Sequence, residues 1–197
     1  MKFLFDLGGV FFDWDPDFFF KDVINSPEER NYFLNKVCND SWNIKQDAGR
    51  SINLAELELI PKFPQYEKEI KMYYANHRKM IKGIFHESIE ILEFLISNNY
   101  QCYVLSNWSA ETFEGMTDDY PFLKKFNGLI ISGEDKIIKP DPAIYQLAID
   151  RFNINPQKCV FIDDKLENIQ AAKKLNFNVL HLINPKIIKS EIQKFID

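Results

Sequence analysis

Short apolar runs recur along this chain, and several stop at a polar cluster. Residues 2–5, 101–105, 128–132, 158–162 and 177–182 are strand-like runs of large apolar side chains, which predicts strands buried on both faces. Before and between the last four, apolar positions recur at helical spacing. Ile89, Ile91, Leu92, Leu95 and Ile96 mark one helix. Ile144, Leu147 and Ala148 mark a second, entered through Pro140-Asp141-Pro142, where proline suits a first turn. Ile169, Ala171, Ala172 and Leu175 mark a third. Buried strands alternating with helices predict an α/β fold, a parallel sheet covered by helices.

Residues 14–84 break this rhythm. The segment carries no convincing strand pattern and is rich in aromatics: Phe18 to Phe20, Tyr32-Phe33, Trp42, Tyr66 and Tyr73-Tyr74, punctuated by Pro61 and Pro64. The expectation is a helical insert after the first strand, with hinges near Asp13–Pro16 and Lys82–His86. Trp42 is expected to pack inside it rather than line a site.

Composition narrows the function classes. The chain has 197 residues, 46% of them hydrophobic, enough for one full core and a small insert. Net charge is −5 and no Lys/Arg block stands out, which argues against nucleic acid and anionic membranes as partners. No apolar run approaches the roughly 18 residues of a membrane span. Asp6 interrupts the one stretch that resembles a signal-peptide start, so a cytoplasmic protein is expected. Cys38, Cys102 and Cys159 are far apart and lack metal spacing, which fits reduced thiols. The aromatic insert is compatible with a monomer or a homodimer.

The chemistry lies where the apolar runs end. In an open parallel sheet, ligands bind beyond the carboxyl ends of the strands. Asp6-Leu7-Gly8-Gly9-Val10 ends the first run, and the glycines let backbone approach a ligand. Ser106-Asn107 end the second, with Trp108 next at the expected mouth of the site. Lys139 follows the third, and Asp163-Asp164 end the fourth. Each has a plain structural alternative: a solvated turn at Asp6, helix capping by Ser106, Ser109 or Asp163-Asp164, turn punctuation at Lys139. One Asp suffices for a cap, however, and two acids facing a third repel unless a cation sits between them. Mg²⁺, with oxygen ligands, answers that. Lys139 is then a fixed ammonium and Ser106 a hydroxyl for phosphate oxygens.

With these residues in order, the chain resembles the haloacid dehalogenase superfamily of phosphohydrolases. Asp6-Leu7-Gly8-Gly9-Val10 looks like its first motif and Leu105-Ser106-Asn107 its second. Lys139-Pro140-Asp141-Pro142-Ala143-Ile144-Tyr145 looks like its third, and Phe161-Ile162-Asp163-Asp164 with Asn168 its fourth. The nearest group includes bacterial sugar-1-phosphate phosphatases and the phosphatase domain of soluble epoxide hydrolase. The resemblance implies a Rossmann-like three-layer core over residues 1–13 and 85–197, with a small helical cap at 14–84. It implies a small phosphorylated substrate, attack by Asp6 on phosphorus and an aspartyl-phosphate. Mg²⁺ would be held by Asp6, the Gly8 carbonyl and Asp164, with Asp163 close by. Ser106, the Asn107 backbone and Lys139 would hold the transferring oxygens, with Gly8, Gly9 and Trp108 completing the substrate site.

One position departs from the pattern. Phosphatases of this superfamily usually carry an acid–base Asp two residues after the nucleophile, and here that residue is Gly8. Three explanations follow: a leaving group good enough unaided, a substitute acid such as Asp13 or Asp15, or a slow or non-catalytic phosphate-binding relative. An unaided reaction would depend steeply on leaving-group basicity. A 2-haloacid dehalogenase also uses the first Asp but needs no metal, which leaves paired Asp163-Asp164 unexplained.

Overall fold

A computed structural model describes residues 1–196. Its strands, in chain order, are β1 (Lys2–Phe5), β2 (Phe12–Trp14), β3 (Ile81–Ile84), β4 (Gln101–Ser106), β5 (Gly128–Ile131), β6 (Cys159–Asp163) and β7 (Asn178–His181). Five of them form a parallel sheet in the order β5-β4-β1-β6-β7. β1 is central, and the chain passes to one side of it for β4 and β5 and to the other for β6 and β7. That reversal places the ends of β1, β4 and β6 around one crevice.

The period of two along each strand sorts its side chains into two layers. Phe3, Phe5, Val104, Val160 and Ile162 pack with Ile91, Leu92 and Leu95 of the helix His86–Ser97. Leu4, Leu105, Cys159 and Phe161 pack on the opposite face with Ile144, Tyr145 and Ala148 of the helix Pro142–Phe152, and with Ile169 and Ala172 of the helix Leu166–Lys174. Each large side chain so buried stabilises the fold by about 1.5–3 kcal/mol. The predicted helix entry holds: Asp141 is the N-cap, its carboxylate accepting the Ala143 N–H at 2.9 Å, with Pro142 in the first turn. Cys38, Cys102 and Cys159 are buried free thiols.

The expectation of no strand within 14–84 is corrected. β3 pairs antiparallel with β2, with Phe12 opposite Ile84, Asp13 opposite Gly83 and Trp14 opposite Ile81. The Phe85 N–H donates to Phe11 O at 2.8 Å and the Asp15 N–H to Met80 O at 3.0 Å, one at each end of the ribbon. Five of the expected hinge residues, Asp13, Trp14, Lys82, Gly83 and Ile84, therefore lie in the ribbon strands. Strands this short, one of them containing Lys82-Gly83, leave too few apolar positions for a period to register.

Between the two ribbon strands the chain is helical and has its own core. Phe20, Phe33, Val37, Trp42, Ala55, Ile70, Tyr73 and Tyr74 are buried together. Trp42 meets Tyr73 edge-to-face at 5.4 Å, and its indole N–H donates to Ala55 O at 3.3 Å, so it packs inside the insert. Among the described residues no helix is long and apolar enough to cross a membrane.

Candidate active site

Asp6 follows β1 directly, and its backbone N–H continues the sheet by donating to Ile162 O at 2.8 Å. Its carboxylate is buried at 7% exposure. Oδ1 accepts from the Leu7 N–H at 2.7 Å and Ser106 Oγ at 2.7 Å, and it lies 2.9 Å from Lys139 Nζ. All three contacts fall on one oxygen, and Oδ2 has no protein donor. Ser106 sits at the end of β4 rather than at a helix N-cap. Ser109 holds the N-cap position of the next short helix but makes no side-chain cap bond.

Lys139 is fully buried, its ammonium lying between two carboxylates: 2.7 Å from Asp163 Oδ2 and 2.9 Å from Asp6 Oδ1. Asn107 fixes the loop that delivers it. The Asn107 side-chain amide donates to Lys139 O at 2.9 Å and accepts the Lys139 N–H at 2.8 Å. Its side chain is thus spent on positioning, and only its backbone remains for a ligand. Both Asp163 oxygens are also engaged, by Lys139, by Asn168 Nδ2 at 3.0 Å to each, and by the Lys165 N–H at 2.8 Å. Trp108 does not sit at an open mouth. It is buried at 6% exposure between Phe12, His77 and Phe113.

Asp164 differs from Asp163. It is half-buried, and its carboxylate has no side-chain donor. Only its backbone carbonyl is held, by His181 Nε2 at 2.9 Å. Carboxylate oxygens of Asp6, Asp163 and Asp164 come within 4.8 Å of one another. Burial pushes Asp163 up to about 7 against the pull of Lys139, with Asp6 adding to the rise. Burial pushes Asp164 up to about 6, and the Asp6 charge adds to it. Burial works against charge on Lys139 too, but Asp163 and Asp6 more than offset it and hold its pKa above the usual lysine range. One ammonium does not balance three carboxylates. A hard divalent cation with oxygen ligands fits the donor set and the surplus charge.

Two glycines shape the crevice in different ways. Gly9 has φ +67°, and a Cβ there would lie 2.5 Å from Asp164 Oδ2. Gly9→Ala is therefore expected to strain the backbone and displace the Asp164 carboxylate. Titration calorimetry should register divalent-ion affinity lowered at least tenfold, the scale of disturbing a ligand's support. Unchanged affinity would remove Asp164 from the metal site. Gly8, by contrast, has no positive φ, and a Cβ there would meet nothing within 4 Å.

The structure adds one acid that the pattern did not mark. Asp47 ends the helix Asp40–Asp47 of the insert and is half-buried. Its surroundings include Lys165, the Ser109 N–H, Asp6 and Lys139. Of Asp13 and Asp15, the substitutes considered from sequence, neither makes a hydrogen bond or ion pair with Asp6 or Lys139, and Asp13 is half-buried. Asp13 is in β2, and Asp15 is exposed with its carboxylate accepting the Asp17 N–H at 2.8 Å.

Comparison with known proteins agrees with this arrangement. The chain is 23% identical to a sesquiterpene phosphatase of Aspergillus oryzae, over 98% of this chain and 95% of that protein. It is 27% identical to an (S)-2-haloacid dehalogenase of Burkholderia cepacia, over 57% of this chain and 53% of that protein. A HAD-family enzyme of Bacteroides thetaiotaomicron, solved in complex with magnesium and inorganic phosphate, shares the fold with a TM-score of 0.69. It is 22% identical, over 91% of this chain and 92% of that one. Residues 3–176 match the haloacid dehalogenase-like hydrolases, and with the four strand-end motifs converging on one crevice, the chain belongs to that family.

Proposed function

We propose that this hydrolase is a Mg²⁺-dependent phosphatase acting on a small phosphorylated metabolite through an aspartyl-phosphate at Asp6. The observation that carries this reading is the carboxylate cluster, with Asp6, Asp163 and Asp164 within 4.8 Å of one another beside a buried lysine. Displacement of halide by Asp6 needs no such cluster, although a dehalogenase is among the relatives. A phosphatase relative that matches nearly the whole chain also supports the reading.

In this reading Asp6, the Gly8 carbonyl and Asp164 would hold the cation, with Asp163 beside them. The cation would neutralise charge on the transferring phosphoryl group. Asp6 Oδ2, the oxygen without a protein donor, attacks phosphorus in line. Ser106 Oγ and Lys139 Nζ, already 2.7 Å and 2.9 Å from Asp6 Oδ1, stand where they can donate to the oxygens around that phosphorus. Asn168 and the Lys165 N–H keep Asp163 fixed, so Lys139 stays charged and in place throughout. Water then releases phosphate from Asp6.

The test is a panel of phosphate esters with and without divalent ions. Chelation is expected to stop turnover and Mg²⁺ to restore it. Full activity in excess chelator would favour dehalogenase-type chemistry. Stability should report the same site. Asp163 and Asp164 ionise near 3.8 in the unfolded chain but near 7 and 6 when folded. The folded protein then binds more protons between those values, so metal-free stability falls as pH rises from about 4 to about 7. Mg²⁺ should therefore raise the Tm more at pH 8 than at pH 5. An equal shift at both would count against a carboxylate site.

A further inference from the structure

Cleaving an unactivated phosphate ester needs a proton for the departing oxygen, and the core supplies no obvious donor. Gly8 has no side chain, and Lys139 is held between Asp6 and Asp163. The insert, however, brings a carboxyl to the crevice. The helix Asp40–Asp47 is docked end-on against the core: Ser132 Oγ donates to Asp47 O at 2.6 Å and accepts the Trp108 N–H at 3.0 Å. Two residues on, Gly49 has φ +89°, and a Cβ there would lie 2.6 Å from Lys136 Cγ and 3.1 Å from Gly133 O. The Ile52 N–H then donates to Glu111 Oε1 at 2.8 Å. The preceding Gln46 is fully buried, its amide donating to Tyr74 Oη at 2.7 Å and Trp42 O at 2.9 Å. Asp47 is thus docked by its backbone on the residue that follows β5, with the Ser109 N–H and the Lys165 charge among the surroundings of its carboxyl.

We propose that Asp47 is the general acid and base of this site, delivered by the insert in place of a side chain at Gly8. The assignment rests on the phosphatase reading above. As Asp6 Oδ2 bonds to phosphorus and the ester P–O bond breaks, the Asp47 carboxyl gives its proton to the leaving oxygen. The resulting carboxylate then takes a proton from the water that attacks the phosphoryl group, as the Asp6 O–P bond breaks. The cycle returns both acids to their starting forms.

The electrostatics suit this role. Burial pushes Asp47 up to about 7. The Lys165 ammonium and the Ser109 N–H pull it down, Asp6 pushes it up, and Lys139 pulls it down. A donor ionising near neutrality is well matched to proton transfer in both directions.

The experiment compares glycerol phosphate with p-nitrophenyl phosphate, using the full chain with Mg²⁺. Asp47→Asn keeps the backbone acceptor for Ser132. It is expected to lower kcat/KM for glycerol phosphate by about 10²–10⁴-fold, the range for a lost acid. For p-nitrophenyl phosphate, whose leaving group needs no proton, kcat/KM should fall by less than about tenfold, with a burst of nitrophenolate as phosphoenzyme breakdown becomes slow. Gly8→Asp in that background, where a Cβ meets nothing within 4 Å, should recover glycerol phosphate cleavage. Equal losses on both esters, or no loss on either, would overturn the role of Asp47. A wild-type protein that cleaves neither ester would overturn the phosphatase reading itself.

Discussion

Asp6→Asn is expected to lower hydrolysis of an aryl phosphate by on the order of 10⁶-fold, the scale of removing the nucleophile of a covalent hydrolase. That loss corresponds to about 8 kcal/mol of barrier. The substitution is close to isosteric. The asparagine oxygen can still accept from the Leu7 N–H and Ser106 Oγ, which now lie at 2.7 Å, so the crevice keeps its shape. What disappears is the anionic oxygen. A neutral amide is a poor nucleophile, and the negative charge removed is one that opposes charge on Asp163 and Asp164. The metal-free variant should accordingly melt no lower than wild type at pH 8. Steady-state rates give the loss, and mass spectrometry of wild type quenched during turnover should find phosphate on the peptide that carries Asp6. A wild-type-like rate in the variant would rule out the covalent route.

Lys139→Met is expected to destabilise the protein by about 3–5 kcal/mol, the usual consequence of stranding a buried charge. The lysine side chain is fully buried, as is Asp163, and Asp6 is nearly so. Methionine fills much the same space but leaves two carboxylates without their ammonium. For a chain of this size the Tm should drop by roughly 6–20 °C. Thermal unfolding at pH 8 without divalent ions measures it. Adding Asp163→Asn to the variant should recover part of the loss by removing one stranded charge. A drop below about 1 kcal/mol would mean that Lys139 does not balance the cluster. The exposed pair Lys124–Asp118 offers the contrast: despite its 2.7 Å separation, breaking it should leave the Tm almost unchanged, because water screens both charges.

What could be read from the sequence was whatever is local. β1, β4, β5 and β6 announced themselves as apolar runs, and the acids, serine and lysine at their ends followed from the rule that such sheets bind at their carboxyl edge. Lys139 reads from sequence as a fixed ammonium, and it lies between two carboxylates. The ribbon escaped notice because Phe12–Trp14 and Ile81–Ile84 are too short for a period and recognise each other only across the insert. Asp47 escaped for a related reason. Its helix, Asp-Ser-Trp-Asn-Ile-Lys-Gln-Asp, has little apolar pattern, and the contact that gives Asp47 meaning, Ser132 Oγ to Asp47 O, spans 85 positions. Asn107 is marked in the sequence only by its place at the end of a strand. That its side chain holds Lys139 rather than a ligand depends on a loop 32 residues away.

The ribbon has a consequence for how such a protein acquires new substrates. Trp14 stands opposite Ile81, so the two ends of the insert are neighbours whatever lies between them. Closing a loop becomes more costly only with the logarithm of its length, about 0.6 kcal/mol for each doubling. The stretch between those ends can therefore grow, shrink or be exchanged with little penalty to the sheet beneath. The buried charges of the crevice, Asp6, Lys139 and Asp163, follow or end β1, β5 and β6, and none of those strands belongs to the exchangeable stretch. Selectivity can drift in one continuous piece of chain while the charged floor of the crevice remains fixed. By the same arrangement, any exchange that removes Asp47 would have to return an acid to the floor, and Gly8 is the position with room for it.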